Sequence, residues 1–401
     1  MFNSMKFKVI LFGFIFTFFS SFGQSYFLGL FNSSIREALS ISHGQFGSIY
    51  ASATLCSSLL LIWVGKKIDD VNIFKFAFFV TVLLSFACFF FSRITSVFLL
   101  FVAIFLMRFS GQGMMSHTAS TTISRYFTRT RGKALSISWF GLSSAEFIMP
   151  VLMVYLLTII DWQNLWLIFS ITVLIVLPIA SFLLIKNLNL DSREANDENI
   201  KEVEIKQWKR IEVIKDYRFY IISSNMLAMP WIFTGFAVFQ SFVQTSKGWG
   251  PYVIAQSFMS YSIFSVLTLF LSGFLIDKFT SRKLLIYMNI PLLLSVIVLF
   301  FFDTPVTAFV FLGLVGISNG FANILGSSTW AELYGVKYLG SIKALTTALM
   351  VFATAFGTAL FGYLIDIGFT VGDIAVVSGT YIFVSLILLF FVRKKLNPVI
   401  I

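Results

Sequence analysis

The chain has two cysteines and two histidines in 401 residues, with no C-x-x-C pair and no histidine cluster. Cys56 and Cys88 fall in separate apolar stretches, so neither a disulfide framework nor a cysteine–histidine metal set is expected. Charge is scarce too, with Asp, Glu, Lys and Arg together making up 12% of the residues. A nucleophile–base pair, a phosphate-binding loop and a metal-ligand motif are all missing, so an enzyme, a metal site and a cofactor are not expected. Apolar residues are in excess: 58% of the chain is hydrophobic, 51 residues are Phe, and the mean hydropathy is +0.90. A soluble protein of this size lacks the interior to hide that surface. Runs of about twenty apolar residues mark helices that cross a bilayer, whereas a transmembrane barrel alternates in strands of about ten. The expected class is an all-α membrane protein.

Twelve such runs follow one another, near residues 8–31, 44–64, 74–92, 96–123, 134–160, 164–185, 218–243, 252–274, 284–302, 305–330, 341–365 and 373–392. Lys6 and Lys8 ahead of the first run imitate a signal peptide. That run is longer than a signal h-region and has no A-x-A site, so it is expected to stay as a span. Basic residues accumulate in cytoplasmic loops. With both termini inside, 25 of the 29 Lys and Arg are cytoplasmic; Arg36, Arg93 and Lys247 fall outside and Arg108 lies within the membrane. The net charge of +11 is therefore topological and no nucleic-acid partner is expected. A monomeric, multi-pass protein of the inner (plasma) membrane, with both termini cytoplasmic and the lipid bilayer around it, fits these observations.

Three bodies are expected: an N-terminal six-helix bundle over residues 1–185, a cytoplasmic linker over 186–217 and a C-terminal six-helix bundle over 218–401. The linker is the only long hydrophilic stretch, and its IKEVEIKQWKRIEVI segment can form a short amphipathic helix with Trp208 at headgroup level. The two halves look like diverged copies. Gly65-Lys-Lys-Ile-Asp69 matches Gly273-Phe-Leu-Ile-Asp277 at an offset of 208, Gly111-Gln-Gly113 matches Ser318-Asn-Gly320 at 207, and Lys133-Ala-Leu135 matches Lys343-Ala-Leu345 at 210. Tandem six-span repeats are the layout of transporters that rock two bundles around a midplane site.

These residues resemble the major facilitator superfamily, whose signature after spans 2 and 8 is G-x-x-x-D-(R/K)-x-G-(R/K)-(R/K). Gly65 and Asp69 fit the first copy, where Asp70 and Asn72 depart from it; Gly273, Asp277, Lys278, Arg282 and Lys283 fit the second, where Thr280 departs. Arg108-Phe-Ser-Gly-Gln-Gly113 followed by Arg125-Tyr-Phe-Thr-Arg-Thr-Arg131-Gly-Lys-Ala134 is similar to the bacterial branch near monocarboxylate porters and oxalate/formate exchangers. The resemblance implies twelve transmembrane helices in two pseudo-symmetric six-helix bundles, the major facilitator fold. It also implies that Gly65, Asp69, Gly273, Asp277, Arg282 and Arg131 form gating contacts at the cytoplasmic side. Physically, a carboxylate there can accept hydrogen bonds from a neighbouring helix N-terminus, and a glycine lets helices approach.

Arg108 and Glu146 are the ionisable residues placed deep in spans. A charge at the bilayer centre costs about 2.5–3.5 kcal/mol on insertion scales, so it is usually paired, cavity-facing and functional. Counted inward at 1.5 Å per residue, Arg108 lies about 18 Å deep, and Glu146 reaches a similar depth from the other side. The two are expected to meet, with Gln112 on the face of Arg108 one helical turn on. A substrate anion competing for Arg108 would then free Glu146 to take a proton. Gln24 and Tyr26 in span 1, Asn225 and Trp231 in span 7, Tyr261 in span 8, and Asn319 and Asn323 in span 10 are further cavity candidates. Spans 8 and 11 lack the extra deep cations of dicarboxylate exchangers, and span 5 lacks the G-P-x-x-G-G of drug antiporters. Proton-coupled uptake of a small organic monoanion is the expected function. Export or exchange of an amphipathic solute is the alternative, and a non-transporting membrane receptor the outsider.

Overall fold

The computed structural model describes residues 4–127, 130–186 and 206–398, apart from the side chains of Ser4, Asp69, Arg131, Asp277 and Ser327. The described residues contain twelve helices long and apolar enough to cross a membrane. In chain order these spans are Met5–Gly29, His43–Ile68, Ile73–Phe91, Val97–Tyr126, Gly132–Leu156, Trp162–Ile185, Tyr217–Val238, Val253–Ile276, Ser281–Phe301, Pro305–Tyr334, Leu339–Asp366 and Val371–Lys395. They fall into two compact units, Met1–Asn199 and Ile200–Ile401, each with six spans.

Span ends are set by local hydrogen-bond chemistry. The first N–H groups of a helix have no partner inside it, so a side-chain oxygen ahead of them stabilises the start. Ser42 and Gln45 form a reciprocal capping box at span 2, and Thr370 and Asp373 form one at span 12. The Asn72 side chain accepts from Phe74 N at 2.9 Å to open span 3, and Ser96 accepts from Leu99 N at 3.3 Å to open span 4. Pro150 and Pro230 lie inside helices that run on past them.

The duplicated sequence shows in the packing. Span 1 packs on span 5, 2 on 4 and 3 on 6 in the first unit; span 7 packs on 11, 8 on 10 and 9 on 12 in the second. Lipid tails are as apolar as Leu, so small residues and polar side chains hold such pairs. Thr17 Oγ1 donates to Ser138 O across spans 1 and 5, and Ser85 and Ser170 exchange hydrogen bonds of 2.9 and 2.8 Å across spans 3 and 6. In the second unit Asn319 Nδ2 donates to Ser265 Oγ at 2.9 Å across spans 8 and 10, and Tyr381 Oη donates to Ser224 O at 2.8 Å across spans 7 and 12.

Residues 206–216 are part of the second unit. Trp208 N donates to Tyr334 O at 3.0 Å, its ring meets Tyr334 edge-on at 5.4 Å, and Gln207 Oε1 accepts from Lys337 N at 2.9 Å. The helix expected there is shorter than the amphipathic pattern suggests, Arg210–Lys215, and Trp208 is held by protein rather than standing apart on a linker. Hydrogen bonds from Lys206 and from the Lys209 backbone hold the Glu212 carboxyl below the usual carboxylate range. Residues 187–205 of that stretch lie outside the described ones.

At Gly357 a Cβ would overlap the Trp231 carbonyl oxygen, whereas at Gly340, earlier in the same helix, it would meet nothing within 4 Å. Gly357→Ala is therefore expected to destabilise the protein by about 1–3 kcal/mol through overpacking, and Gly340→Ala to be neutral or mildly stabilising. Thermal unfolding of the two purified variants checks this, and equal midpoints would refute the close crossing of spans 7 and 11.

Candidate functional site

Span 1 is not one helix. Ser4–Ser20 is α-helical, Ser21–Gly23 is a 3-10 turn, Gln24 is extended at ψ 151°, and a short helix resumes over Ser25–Gly29. The sequence there, Ser20-Ser21-Phe22-Gly23-Gln24-Ser25, is poor in helix formers. Ser20 Oγ turns back on Thr17 O at 2.6 Å, which competes with the backbone ladder. Span 4 is irregular at the facing level, since Arg108–Met115 (RFSGQGMM) is π-helical. Single π turns inside helices often mark functional positions. The two irregularities fit each other: a Cβ on Gly23 would overlap Met107 O and Gln112 N.

Arg108 is 4% exposed and points into the break in span 1. One guanidinium nitrogen donates to Gly23 O at 3.1 Å and to Ser25 Oγ at 3.3 Å. Tyr50 of span 2 donates to the same Ser25 hydroxyl at 3.0 Å, and its ring lies 5.4 Å from the guanidinium carbon. The Nε of Arg108 is buried with no hydrogen-bond partner. These neighbours are a carbonyl, a hydroxyl and a ring face, so the cation is solvated by dipoles and a π quadrupole.

Glu146 is 8% exposed and sits on the span 5 helix Arg131–Leu156. Its electrostatic neighbour is the Tyr26 hydroxyl, on the residue that follows Ser25. The expected Arg108–Glu146 ion pair is not formed: among the described residues the salt bridges are Lys206–Glu212, Arg218–Asp216 and Lys247–Asp303. The physical reason is that the broken span 1 offers oxygens to the guanidinium directly. Both charged residues therefore converge on residues 21–26 without touching. Gln24 and Tyr26 belong to that stretch, Tyr26 buried and Gln24 half-buried. Gln112 is half-buried in the same π turn as Arg108.

The second unit has a cavity of about 210 Å³ whose lining includes Asn319 and Asn323. The rest of its wall includes Met226, Met229, Met288, Met350, Phe233 and Trp330, a largely apolar surface. The remaining candidates there are buried among the helices. Asn225 is fully buried, its Nδ2 3.4 Å from Ser385 Oγ and its carbonyl accepting from Asn289 Nδ2, so it ties spans 7, 9 and 12. Trp231 packs edge-on against Tyr381 at 5.2 Å, and Tyr261 stacks on Phe233 at 4.9 Å.

At the ends carrying the basic loops, His117 Nε2 lies 3.0 Å from Gly65 O and Arg125 donates to Ile68 O at 3.0 Å. The side chains of Asp69, Asp277 and Arg131, assigned to gating, lie outside the described ones. A Cβ on Gly273 would meet nothing within 4 Å, so helix approach does not require glycine there. The carboxylate seen capping a neighbouring helix is Glu332, which accepts from Ser281 N at 2.8 Å and Arg282 N at 3.3 Å. Arg282 in turn donates to Leu396 O and Asn397 Oδ1 at 3.3 and 3.2 Å. Gly23, Ser25, Tyr50 and Glu332 were missed by sequence reasoning; the run of small polar residues at 20–25 was the signal for the first two.

The family model described as Major Facilitator Superfamily matches residues 13–259. No curated protein sequence matches the chain. Among solved structures, a bacterial homologue of the human lysosomal transporter Spinster, inward-facing and unoccupied, superposes with a TM-score of 0.74 at 14% identity over 98% of each chain. The nucleoside transporter NupG superposes with a TM-score of 0.69 at 14% identity, over 98% of this chain and 99% of that one. At such identities the likeness is one of fold.

Ser25 Oγ accepts from both Arg108 and Tyr50. Ser25→Ala is expected to cost about 1 kcal/mol, the scale of one interhelical hydrogen bond in a membrane protein. Adding Tyr50→Phe to Ser25→Ala should then cost almost nothing further. A double-mutant cycle on thermal stability tests the shared hydroxyl, and strictly additive losses would show that it is not shared.

Proposed function

The chain belongs to the Major Facilitator Superfamily, and from that membership we propose that it is a secondary active transporter carrying a small organic monoanion, of monocarboxylate type, across the inner membrane by alternating access. Proton-coupled uptake is the mode the two buried charged residues support best. The observation that carries this reading is Arg108, a buried guanidinium ligated only by neutral groups, with one nitrogen left without a partner. A buried cation without a counter-charge is costly. A substrate carboxylate supplies that counter-charge and takes the open N–H, and charge-assisted hydrogen bonds of this kind are the strong ones. One such cation suits a monoanion.

Glu146 has the proton-carrying role. No cation of the described residues pairs with it, so it need not exchange partners with Arg108 when substrate arrives, and the competition mechanism expected from sequence is replaced. Anion and proton load at separate residues beside the span 1 break, Arg108 and Glu146, and the centre crosses with its added charges cancelled. Gln24, Gln112 and Tyr26, around the break, complete the substrate and coupling set in the first unit. In the second unit Asn319 and Asn323 among methionines and aromatics favour a solute with an apolar body. The same wall is what an exporter of amphipathic solutes would use, so that reading stays as the alternative. Asp69, Asp277, Arg131 and Arg282 have the gating role that family membership suggests.

Arg108→Gln is expected to weaken binding of small carboxylates by roughly 10- to 100-fold, the range of one to two charge-assisted hydrogen bonds. Calorimetric titration of the purified protein reads this, and unchanged carboxylate affinity would overturn the anion assignment. Glu146→Gln should abolish accumulation driven by a pH gradient in proteoliposomes while leaving carboxylate affinity intact. Accumulation equal to the unsubstituted protein would remove Glu146 from coupling, and uptake favoured by the reverse gradient would favour the exporter.

A further inference from the structure

The second unit has, at the end that carries its basic loops, a cleft of about 350 Å³ between the start of span 9, the end of span 12 and the chain tail. Arg282, Lys283, Arg393 and Lys394 line it, with Ile286 and Leu389 on the apolar side. No carboxylate lines the cleft, and no ion pair among the described residues uses any of these four cations. Glu332, beside Arg282, is committed to the backbone N–H groups of Ser281 and Arg282, and Asp216 to Arg218. Arg393 lies 3.8 Å over the Phe390 ring, a contact that orients the guanidinium without neutralising it.

The cleft is also held in shape. Arg218 donates to Asn397 O at 2.9 Å and Lys395 O at 3.3 Å, and Arg282 donates to Leu396 O and Asn397 Oδ1. These bonds fix the tail at Lys395–Asn397, next to Arg393 and Lys394, which line the cleft with Lys283. Positions set in advance lower the entropy lost when a ligand binds. Beyond the cations the surface turns apolar towards the membrane, with Tyr287 57% and Phe391 75% exposed.

We infer that this cleft binds the phosphodiester head of an anionic phospholipid, its acyl chains lying along the exposed Tyr287 and Phe391. Four cations that line one cleft with no ion pair among the described residues match a phosphate, to which arginine offers a planar fork of donors. A basic pocket between membrane helices on the cytoplasmic side is the geometry that selects anionic headgroups. A soluble phosphate shares the head chemistry but leaves the apolar wall unused, which is why the lipid is the ligand.

The test uses the full-length protein in detergent, titrated with phosphatidylglycerol, with phosphatidylcholine of the same chains, and with glycerol phosphate alone. Native mass spectrometry reads lipid adducts, and thermal shift reads stabilisation. Phosphatidylglycerol is expected to be retained and to stabilise, and the other two are not. In the variant Lys283→Gln, Arg393→Gln, Lys394→Gln, retention should fall by roughly fivefold for each charge removed. Arg210→Gln with Lys215→Gln, exposed cations of the same unit outside the cleft, should leave it unchanged. Should the triple variant express poorly, Lys394→Gln alone gives the same reading at one charge. Equal retention of the neutral lipid, equal loss in the Arg210 and Lys215 variant, or no loss in the cleft variants would overturn the site. Stabilisation by glycerol phosphate equal to that by the lipid would assign it to soluble phosphate instead.

Discussion

A cation held inside a membrane protein must find oxygens, and the first unit is organised around that requirement. Backbone carbonyls inside a continuous helix are taken by the helix itself. Span 1 interrupts its ladder at Ser21–Gln24 and so presents Gly23 O and the Ser25 hydroxyl to Arg108. Irregular backbone at this depth is tolerated only where protein buries it, and Ser21, Phe22 and Gly23 are all buried. The π turn of span 4 is the complement, since it carries Arg108 and accommodates Gly23 against its backbone. Break, bulge and cation thus account for one another.

The two units repeat a packing plan while dividing the chemistry unevenly. Spans 1 and 5 correspond to 7 and 11, 2 and 4 to 8 and 10, 3 and 6 to 9 and 12. Their described buried charges do not correspond: Arg108 and Glu146 lie inside spans of the first unit, whereas the second has its buried Asp216 paired with Arg218 at the start of span 7 and carries amides and hydroxyls such as Asn225, Asn289 and Ser385 within its spans. The Nδ2 groups of Asn225 and Asn289 each find a partner on another helix, and such interhelical hydrogen bonds join spans without burying a charge. The second unit's cations gather at its end instead, where Arg218 and Arg282 bind the tail.

Much of this was legible from residue order alone. The twelve spans, the two-fold repeat, the burial of Arg108 and the family all rest on hydropathy and short motifs, which are local. The Arg108–Glu146 contact was not, because depth along two helices says nothing of their rotation or of what lies between them. The π turn at 108–115, which carries Arg108 and Gln112, was not legible either, because it depends on the fit against Gly23. Asn225 and Asn323 look alike in sequence, yet one is sealed among three helices and the other lines a cavity.

Sequence by itself determined that the chain lives in a bilayer, how often it crosses and which residues carry charge into the apolar region, because hydrophobic transfer and the cost of buried charge act residue by residue. Tertiary structure alone decided which partner each polar group received. Gly23 O, the Ser25 hydroxyl and the Tyr50 ring reach Arg108 from separate parts of the chain. Hydrogen bonds and cation–π contacts act over a few ångströms, and only the packed helices bring residues 83 and 85 positions apart within that distance.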